Sequence, residues 1–330
     1  MQVVNSAIDS HLPVSILELP DDSQSIAAGL QSLGEDVTMT SIATINRFAA
    51  YAEAFEKDGV VMIPDALDAR EMDMLEEAWE SHFAESEAIA ERMYGDGKDE
   101  IYFLTDNTID ANDRYQRLMR DTRVADIAQG LFGGHDTYYF LEQMWKKTGG
   151  ARRTAWHQDT SYLPFTGPGL LILWIPLDTL NARNVLEVVR GSHRKTLYNA
   201  SMYDPTDVTA PLYDEADLPR LPDIETERDR WDIFSTAMKR GDVLAFHPGC
   251  LHGGAPTEPD QLRRSYTFRM FSDEAFYTPL PTKRDLGENK FSDQRQDTDE
   301  RIVLKGFDEL SPGDPLCRSS WWKKIRPWSD

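Results

Sequence analysis

The sequence is poor in cysteine, in basic residues and in long apolar segments. Only Cys250 and Cys317 are present among 330 residues, so a disulfide framework cannot form. The 35 Lys and Arg residues stand against 57 Asp and Glu residues, which gives a formal net charge of −22. Because phosphate binding needs clustered basic side chains, we expect no nucleic-acid partner. No apolar run approaches the length that spans a bilayer, so we expect no membrane partner either.

Lys and Arg are missing altogether from residues 1–40. Secretory signals and transit peptides need early positive charge, so we expect a cytoplasmic protein. The same segment is polar, acidic and loosely patterned, and we interpret it as a poorly ordered N-terminal arm. The composition does not decide the oligomeric state, and a homodimer remains open.

The rest of the chain changes from helical to β character near residue 135. Helical spacing runs from Ser41 to Gly59, a capping box of Asp68 and Glu71 opens a second helix, and residues 124–131 form another helical segment. The later part contains short apolar runs separated by Gly, Pro and Asn, which predict a barrel or sandwich with the helices outside. The runs are 138–141, 170–177, 185–189, 243–246 and 265–271.

We therefore treat residues 41–330 as one mainly β domain with flanking α-helices. An acidic insertion at about 198–240 lacks strong periodicity. Long segments of this kind are commonly either a lid over a site or a solvated excursion on the surface, and both interpretations are kept.

His157, Asp159 and His252 form a candidate metal motif. Two imidazoles and one carboxylate are the ligand set of non-haem Fe(II) sites that keep coordination positions open. In a strand, residues two apart point to the same face, so His157 and Asp159 can reach one cation together. His252 follows the apolar run 243–246 and a Pro-Gly turn that can bring it to the same cation. The same three ligands also suit a hydrolytic zinc site.

Arg263 favours the oxygenase over the hydrolase. An enzyme that uses 2-oxoglutarate needs a cation for the far carboxylate of that co-substrate, and a guanidinium binds a carboxylate through two parallel hydrogen bonds. A zinc hydrolase instead needs a general base near its water. Counting by twos from Arg263 gives Ser265, Thr267 and Arg269 on one face, so the Ser265 hydroxyl can reach the same carboxylate. A slip of one residue in the strand register would give the role to Arg264.

Gln143 is a further candidate for contact with the co-substrate. It lies on the strand that begins near Tyr138, and strand spacing puts it on the same face as Leu141 and Trp145. If that face lines the barrel, the Gln143 amide can hydrogen-bond 2-oxoglutarate. Other motif residues are interpreted as structural, namely His193, His247 and Cys250.

Several motif stretches follow one another in a specific order. They are Trp156-His157-Gln158-Asp159, Leu186 to His193, Gly241-Asp242-Val243, Phe246-His247-Pro248, His252-Gly253 and Arg263. In this order they resemble the phytanoyl-CoA dioxygenase family of Fe(II)/2-oxoglutarate-dependent oxygenases, over about residues 45–275. The resemblance implies a double-stranded β-helix (a jelly roll, cupin-like), with His157, Asp159 and His252 as ligands of Fe(II) and Arg263 as the anchor for 2-oxoglutarate.

The resemblance also implies a reaction class. Related halogenases carry a small residue in place of the carboxylate ligand, so the presence of Asp159 disfavours halogenation. We expect O₂-dependent hydroxylation of a small or medium organic molecule, either a natural product or an amino-acid-like compound, with release of succinate and CO₂. Desaturation, epoxidation and ring formation remain open. The alternatives are another metal-dependent enzyme on a cupin-like barrel, such as a hydrolase or isomerase, and a catalytically silent ligand-binding protein.

Overall fold

The computed structural model describes residues 47–86, 91–92, 101–104, 113–213, 217–280 and 306–327. The predicted arm at 1–40 and the predicted start of helical spacing at Ser41 lie outside these ranges. The helices within the described residues are α1 (Ala52–Asp58), α2 (Ala69–Ser86), α3 (Asp113–Asp121) and α4 (Val124–Leu131). The strands are β1 (Val60–Ile63), β2 (Glu91–Arg92), β3 (Ile101–Leu104), β4 (Thr137–Lys147), β5 (Phe165–Thr166), β6 (Leu170–Pro176), β7 (Leu186–Val189), β8 (Ile233–Phe234), β9 (Val243–Phe246), β10 (His252–Gly254), β11 (Arg263–Ser272), β12 (Phe276–Tyr277) and β13 (Lys324–Arg326).

Backbone conformation sets the end of α1, and side-chain hydrogen bonds set the start of α2. Gly59 ends α1 with a left-handed φ of 69°, a conformation that glycine adopts without steric cost. The predicted capping box opens α2: the backbone N–H of Glu71 donates to Asp68 Oδ1 (3.0 Å), and that of Asp68 donates to Glu71 Oε2 (2.7 Å). None of the described helices is long and apolar enough to cross a membrane.

A large antiparallel sheet forms the centre of the fold. Its strand order is β1-β9-β6-β11-β4-β3-β2, and β13 adds to β4. Side chains alternate across it as the pleat requires. On β6, Leu171 and Leu173 pack against the helices, whereas Ile172 and Trp174 face the opposite side. The apolar faces of the helices cover the outer side of this sheet. On α2 this face consists of Met72, Leu75, Ala78, Trp79 and Phe83.

A small sheet of β10, β7 and β8 lies on the inner side. Val188 of β7 packs in one cluster with Trp174 and Phe246 of the large sheet, so a second core fills the space between the sheets. The prediction of a mainly β fold with flanking helices is confirmed. The two sheets form the curled, jelly-roll architecture that the resemblance implied.

Strand β11 is held on both sides, because it pairs with β4 along one edge and with β6 along the other. Its two faces differ sharply. Arg264 points towards α2 and forms ion pairs with Glu76 and Asp178. Arg263 lies on the inner face, where its guanidinium donates to the Asn184 carbonyl (2.9 Å). The strand therefore has the register in which Arg263, and not Arg264, faces the interior.

Candidate metal centre

The three residues of the metal motif meet between the two sheets. His157 forms a single antiparallel bridge with His252, with backbone N–O distances of 2.9 Å in both directions. Asp159 begins a 3-10 turn (Asp159–Ser161), so the expected regular strand is wrong at this point. The turn nevertheless brings the carboxylate to the histidines. One ligand atom from each residue lies within 4.8 Å of the others, which is close enough to hold one metal ion.

Backbone carbonyls orient both imidazoles. The Nδ1–H of His157 donates to the Ala155 carbonyl (2.8 Å), and the Nδ1–H of His252 donates to the Cys250 carbonyl (2.9 Å). Because a carbonyl can only accept, each Nε2 keeps its lone pair for a metal. Burial, together with the neighbouring His157, lowers the pKa of His252 to about 3. His252 is therefore neutral near pH 7, as a metal ligand must be.

The two oxygens of Asp159 have different surroundings. Oδ1 lies 3.3 Å from His157 Nε2 and 3.6 Å from His252 Nε2. Oδ2 accepts hydrogen bonds from Arg269, from Nε at 3.0 Å and from Nη2 at 2.6 Å. Burial by itself would raise the pKa of Asp159, but the Arg269 cation and the two histidines outweigh it and hold the pKa well below its usual range. The carboxylate is therefore ionised and directs Oδ1 at the imidazoles.

Arg269 was not assigned a role from the sequence, and it changes how Gln143 is interpreted. Its Nη1 donates to Gln143 Oε1, so the amide supports Arg269. The expected hydrogen bond from Gln143 to the co-substrate remains a prediction. Alternation along β11 had placed Arg269 on the same face as Arg263, but a strand pattern carries no information about which carboxylate lies opposite.

A second polar group lies further along the inner face of β11. Arg263 Nη1 donates to the Ala255 carbonyl (3.1 Å), and the fully buried Lys147 Nζ donates to the same oxygen (3.3 Å). The position of a Cβ on Gly254 would be 2.8 Å from Arg263 Nη2, so the guanidinium lies directly against the strand of His252. Ser265 is also buried, and its Oγ has no hydrogen-bond partner among the described residues.

The three other motif residues make structural contacts. His247 Nε2 donates to the Gly167 carbonyl (2.9 Å), and burial lowers the pKa of His247 to about 4. His193 Nε2 lies 3.2 Å from the Glu56 carbonyl. Cys250 is buried, and burial raises the pKa of its thiol to about 11. A protonated thiol is a poor metal ligand, which agrees with a structural role for Cys250.

The donor set fits Fe(II) and 2-oxoglutarate. Two neutral imidazoles and one ionised carboxylate are the ligands of non-haem iron oxygenases. The buried Arg263 guanidinium and the Ser265 hydroxyl suit a carboxylate ligand. A buried hydroxyl without a hydrogen-bond partner destabilises the fold, and a bound carboxylate would accept its hydrogen bond. A family model for phytanoyl-CoA dioxygenase matches residues 55–265, which is more than half of the chain. The chain belongs to the phytanoyl-CoA dioxygenase family.

Solved structures of enzymes share this fold. One is SnoN, a non-heme alpha ketoglutarate dependent epimerase from nogalamycin biosynthesis, which was solved in complex with Fe3+, alpha ketoglutarate and nogalamycin RO. SnoN is 22% identical to this chain, and the TM-score is 0.57. The match covers 86% of this chain and 100% of SnoN. SnoK, a carbocyclase from the same biosynthesis, is 17% identical, with a TM-score of 0.57 over 87% of this chain and 96% of SnoK.

EctD from S. alaskensis was solved with 2-oxoglutarate and 5-hydroxyectoine. It is 21% identical, with a TM-score of 0.50 over 72% of this chain and 80% of EctD. At such identities the likeness shows a common fold. A comparison with curated protein sequences found no match.

Proposed function

We propose that this protein is an Fe(II)/2-oxoglutarate-dependent oxygenase that hydroxylates a small or medium organic molecule. The observation that carries the proposal is the complete motif of His157, Asp159 and His252, with Arg263 and Ser265 on the inner face of the same fold. The family and the iron and 2-oxoglutarate complexes among similar structures support the same chemistry. The overall conversion takes a C–H group, O₂ and 2-oxoglutarate to a C–OH group, succinate and CO₂.

Each group has a separate task in this proposal. His157, His252 and Asp159 Oδ1 would hold the iron, which would supply the activation of O₂. Arg263 and the Ser265 hydroxyl hold the far carboxylate of 2-oxoglutarate. Burial of both groups strengthens these hydrogen bonds, since the low local dielectric weakens competition from water.

The same geometry disfavours a metal-dependent hydrolase. Such an enzyme needs a general base next to its metal-bound water. Within the described residues, the candidate metal group contains one carboxylate, Asp159, and Arg269 engages its second oxygen. A carboxylate used as a ligand and paired with a guanidinium is not available to accept a proton from water.

The insertion contacts the metal motif directly. Tyr203 of the insertion is buried, and its ring centroid lies 5.6 Å from that of His157. A separate cavity of about 850 Å³ lies between the insertion and the segment just before His157, and none of the metal-motif residues lines it. We propose that the insertion at 198–240 is a lid over the metal motif and not a solvated excursion.

Anaerobic titration tests the cofactor assignment. Fe(II) followed by 2-oxoglutarate should produce the weak visible charge-transfer band of the iron chelate. Asp159→Ala and His252→Ala should abolish the band, because each removes one protein ligand. His247→Ala is the matched control, since His247 is buried nearby but bonds the Gly167 carbonyl. Absence of the band from the wild-type protein would contradict the proposed function.

A metabolite screen tests the reaction outcome. Succinate release identifies compounds that are turned over, and mass spectrometry of the product then identifies the change. Hydroxylation adds one oxygen atom to the substrate. An unchanged mass would indicate epimerisation, and the loss of two hydrogens would indicate desaturation or ring formation; either result would replace hydroxylation as the proposed outcome.

A further inference from the structure

Arg269 has the geometry of a residue that positions the Asp159 carboxylate. Both of its bonds to Asp159, from Nε and from Nη2, end on Oδ2. Oδ1 is left facing the two histidine Nε2 atoms at 3.3 and 3.6 Å. A guanidinium that donates two hydrogen bonds to one carboxylate oxygen opposes rotation of the carboxylate about the Cβ–Cγ bond.

The arginine is itself held firmly. It pairs through its backbone with Leu141 of β4 and Ile172 of β6, so its strand is fixed from both edges. The register between β4 and β11 shifts immediately after Arg269, and such irregularities near active sites commonly re-aim a side chain. Its remaining Nη1 donates to Gln143 Oε1. Arg269 and Asp159 are both buried, which shields the pair from water.

We propose that Arg269, supported by Gln143, is a positioning residue that makes Asp159 a single-oxygen ligand. The inference rests on the proposed function, since it assumes that Asp159 binds a metal. Its consequence is that Oδ2 would be withheld from a bound metal. Asp159 would then supply one ligand atom and leave room for 2-oxoglutarate and O₂.

A purely electrostatic role would depend on charge and not on donor geometry. Arg269 is a cation close to a site for another cation and beside a candidate ligand carboxylate, so removal of its charge alone would change metal affinity. Arg269→Lys keeps a cation but cannot direct two N–H groups of one planar group at Oδ2. An electrostatic role predicts wild-type metal affinity for Arg269→Lys, whereas a positioning role predicts weaker binding.

The test measures Mn(II) binding to the apo-protein by electron paramagnetic resonance, with no 2-oxoglutarate present. Loss of an outer partner of a metal ligand typically costs about 10–100-fold in affinity, and we expect a loss of that order for Arg269→Met. Arg269→Lys keeps the charge without the two parallel donors and should bind more weakly than wild type. Equal or tighter binding by Arg269→Lys would overturn the proposal.

Gln143→Leu provides a second variant that keeps Arg269 and its charge, and it remains informative if Arg269→Met fails to fold. Circular dichroism and thermal melting establish folding for each variant. Gln143→Leu should also weaken Mn(II) binding, by less than Arg269→Met. Unchanged Mn(II) affinity in Gln143→Leu, with weaker 2-oxoglutarate binding alone, would show direct contact with the co-substrate and overturn the supporting role.

The failure of the inference is distinguishable from the failure of the proposed function. If wild-type protein binds neither Mn(II) nor Fe(II), the metal assignment itself is wrong. If wild type binds metal and the Arg269 variants bind it equally well, only the positioning role is wrong.

Discussion

At the scale of single residues, the inner face of β11 sets the chemistry of the site. Arg269 lies at the metal motif, and Arg263 and Ser265 lie further along the same face. Two arginines on one strand face thus have separate partners, one a carboxylate of the protein and the other, in our proposal, a carboxylate of the co-substrate. Arg264 on the opposite face is engaged by Asp178 and Glu76.

The first prediction compares Arg263→Ala with Arg264→Ala. Hydrogen bonds to charged groups contribute about 1.5–3 kcal/mol each, so we expect Arg263→Ala to raise the 2-oxoglutarate concentration for half-maximal activity by about 10–100-fold. Arg264→Ala should mainly lower the free energy of unfolding, because it breaks ion pairs with α2. Steady-state kinetics with varied 2-oxoglutarate measures the difference, and the reverse ranking would refute the assignment of Arg263.

The second prediction concerns Gly254, two residues after His252. A Cβ at this position would be 2.8 Å from Arg263 Nη2 and 2.9 Å from Thr154 Oγ1. Gly254→Ala should therefore displace the guanidinium and weaken 2-oxoglutarate binding while Mn(II) affinity stays near wild type. Equal 2-oxoglutarate affinity in Gly254→Ala and wild type would contradict the proposed anchor.

At the scale of elements, the insertion is fastened to the turn that carries Asp159. The Tyr213 hydroxyl donates to the Ser161 carbonyl (2.9 Å), and the Tyr162 hydroxyl donates to the Ser201 carbonyl (2.8 Å). Tyr203 has a left-handed φ of 53°, which is unfavourable for a bulky residue, and its ring centroid is 5.6 Å from that of His157. Strain of this kind persists only where surrounding contacts impose it. These contacts support the proposed lid.

Glu187 ties a second part of the insertion to β7. Its carboxylate accepts from Arg228 of the insertion (2.7 Å) and from Arg153. Burial would raise the pKa of Glu187, but the two arginines outweigh it and lower that pKa below the ordinary value of 4.5. A depressed pKa means that the ionised form stabilises the fold above the ordinary value. This contribution to the free energy of unfolding is lost as the pH falls through the lowered pKa of Glu187.

The third prediction is therefore that Glu187→Gln lowers the free energy of unfolding at pH 7 by about 1–3 kcal/mol. The difference between the variant and wild type should shrink as the pH falls from 4.5 through the lowered pKa of Glu187, because the unfolded chain binds the proton first and folded Glu187 binds it only at lower pH. Urea unfolding at a series of pH values measures both quantities. Glu227→Gln, on an exposed pair with Arg230, is the control and should have little effect. A difference that grows towards low pH would contradict the assigned ion pairs.

At the scale of the whole molecule, the metal centre joins the two sheets. His252 belongs to the small sheet, and Asp159 is bonded to Arg269 of the large sheet. A ligand that binds only the folded chain stabilises it, by about 2.7 kcal/mol at a free concentration of 100 times its Kd. Metal binding should therefore stabilise the domain as a unit.

The fourth prediction is that Mn(II) and 2-oxoglutarate together raise the Tm by a few degrees, more than either ligand alone. Asp159→Ala should show no such metal-dependent increase, because it lacks a ligand, whereas Arg264→Ala should retain it. Differential scanning calorimetry under identical buffer conditions measures the shift. A ligand-dependent rise of equal size in Asp159→Ala would place the bound metal elsewhere.

Features that depend on neighbours along the chain could be predicted from the amino-acid sequence. The capping box of Asp68 and Glu71 and the end of α1 at Gly59 follow from local backbone chemistry. The split between Arg263 and Arg264 follows from the two-residue period of a strand. The metal motif was recognisable because its ligand types are chemically restricted.

The contacts between groups far apart in the chain became visible in the folded molecule. Asp159 reaches the histidines through a 3-10 turn, and Arg269 reaches Asp159 across 110 positions of sequence. Strand alternation defines a face but not its opposing partner, because that depends on how the two sheets close over one another. The same closure surrounds the carboxylate, the guanidinium and the Ser265 hydroxyl with protein, where unsatisfied hydrogen bonds and charges cost most.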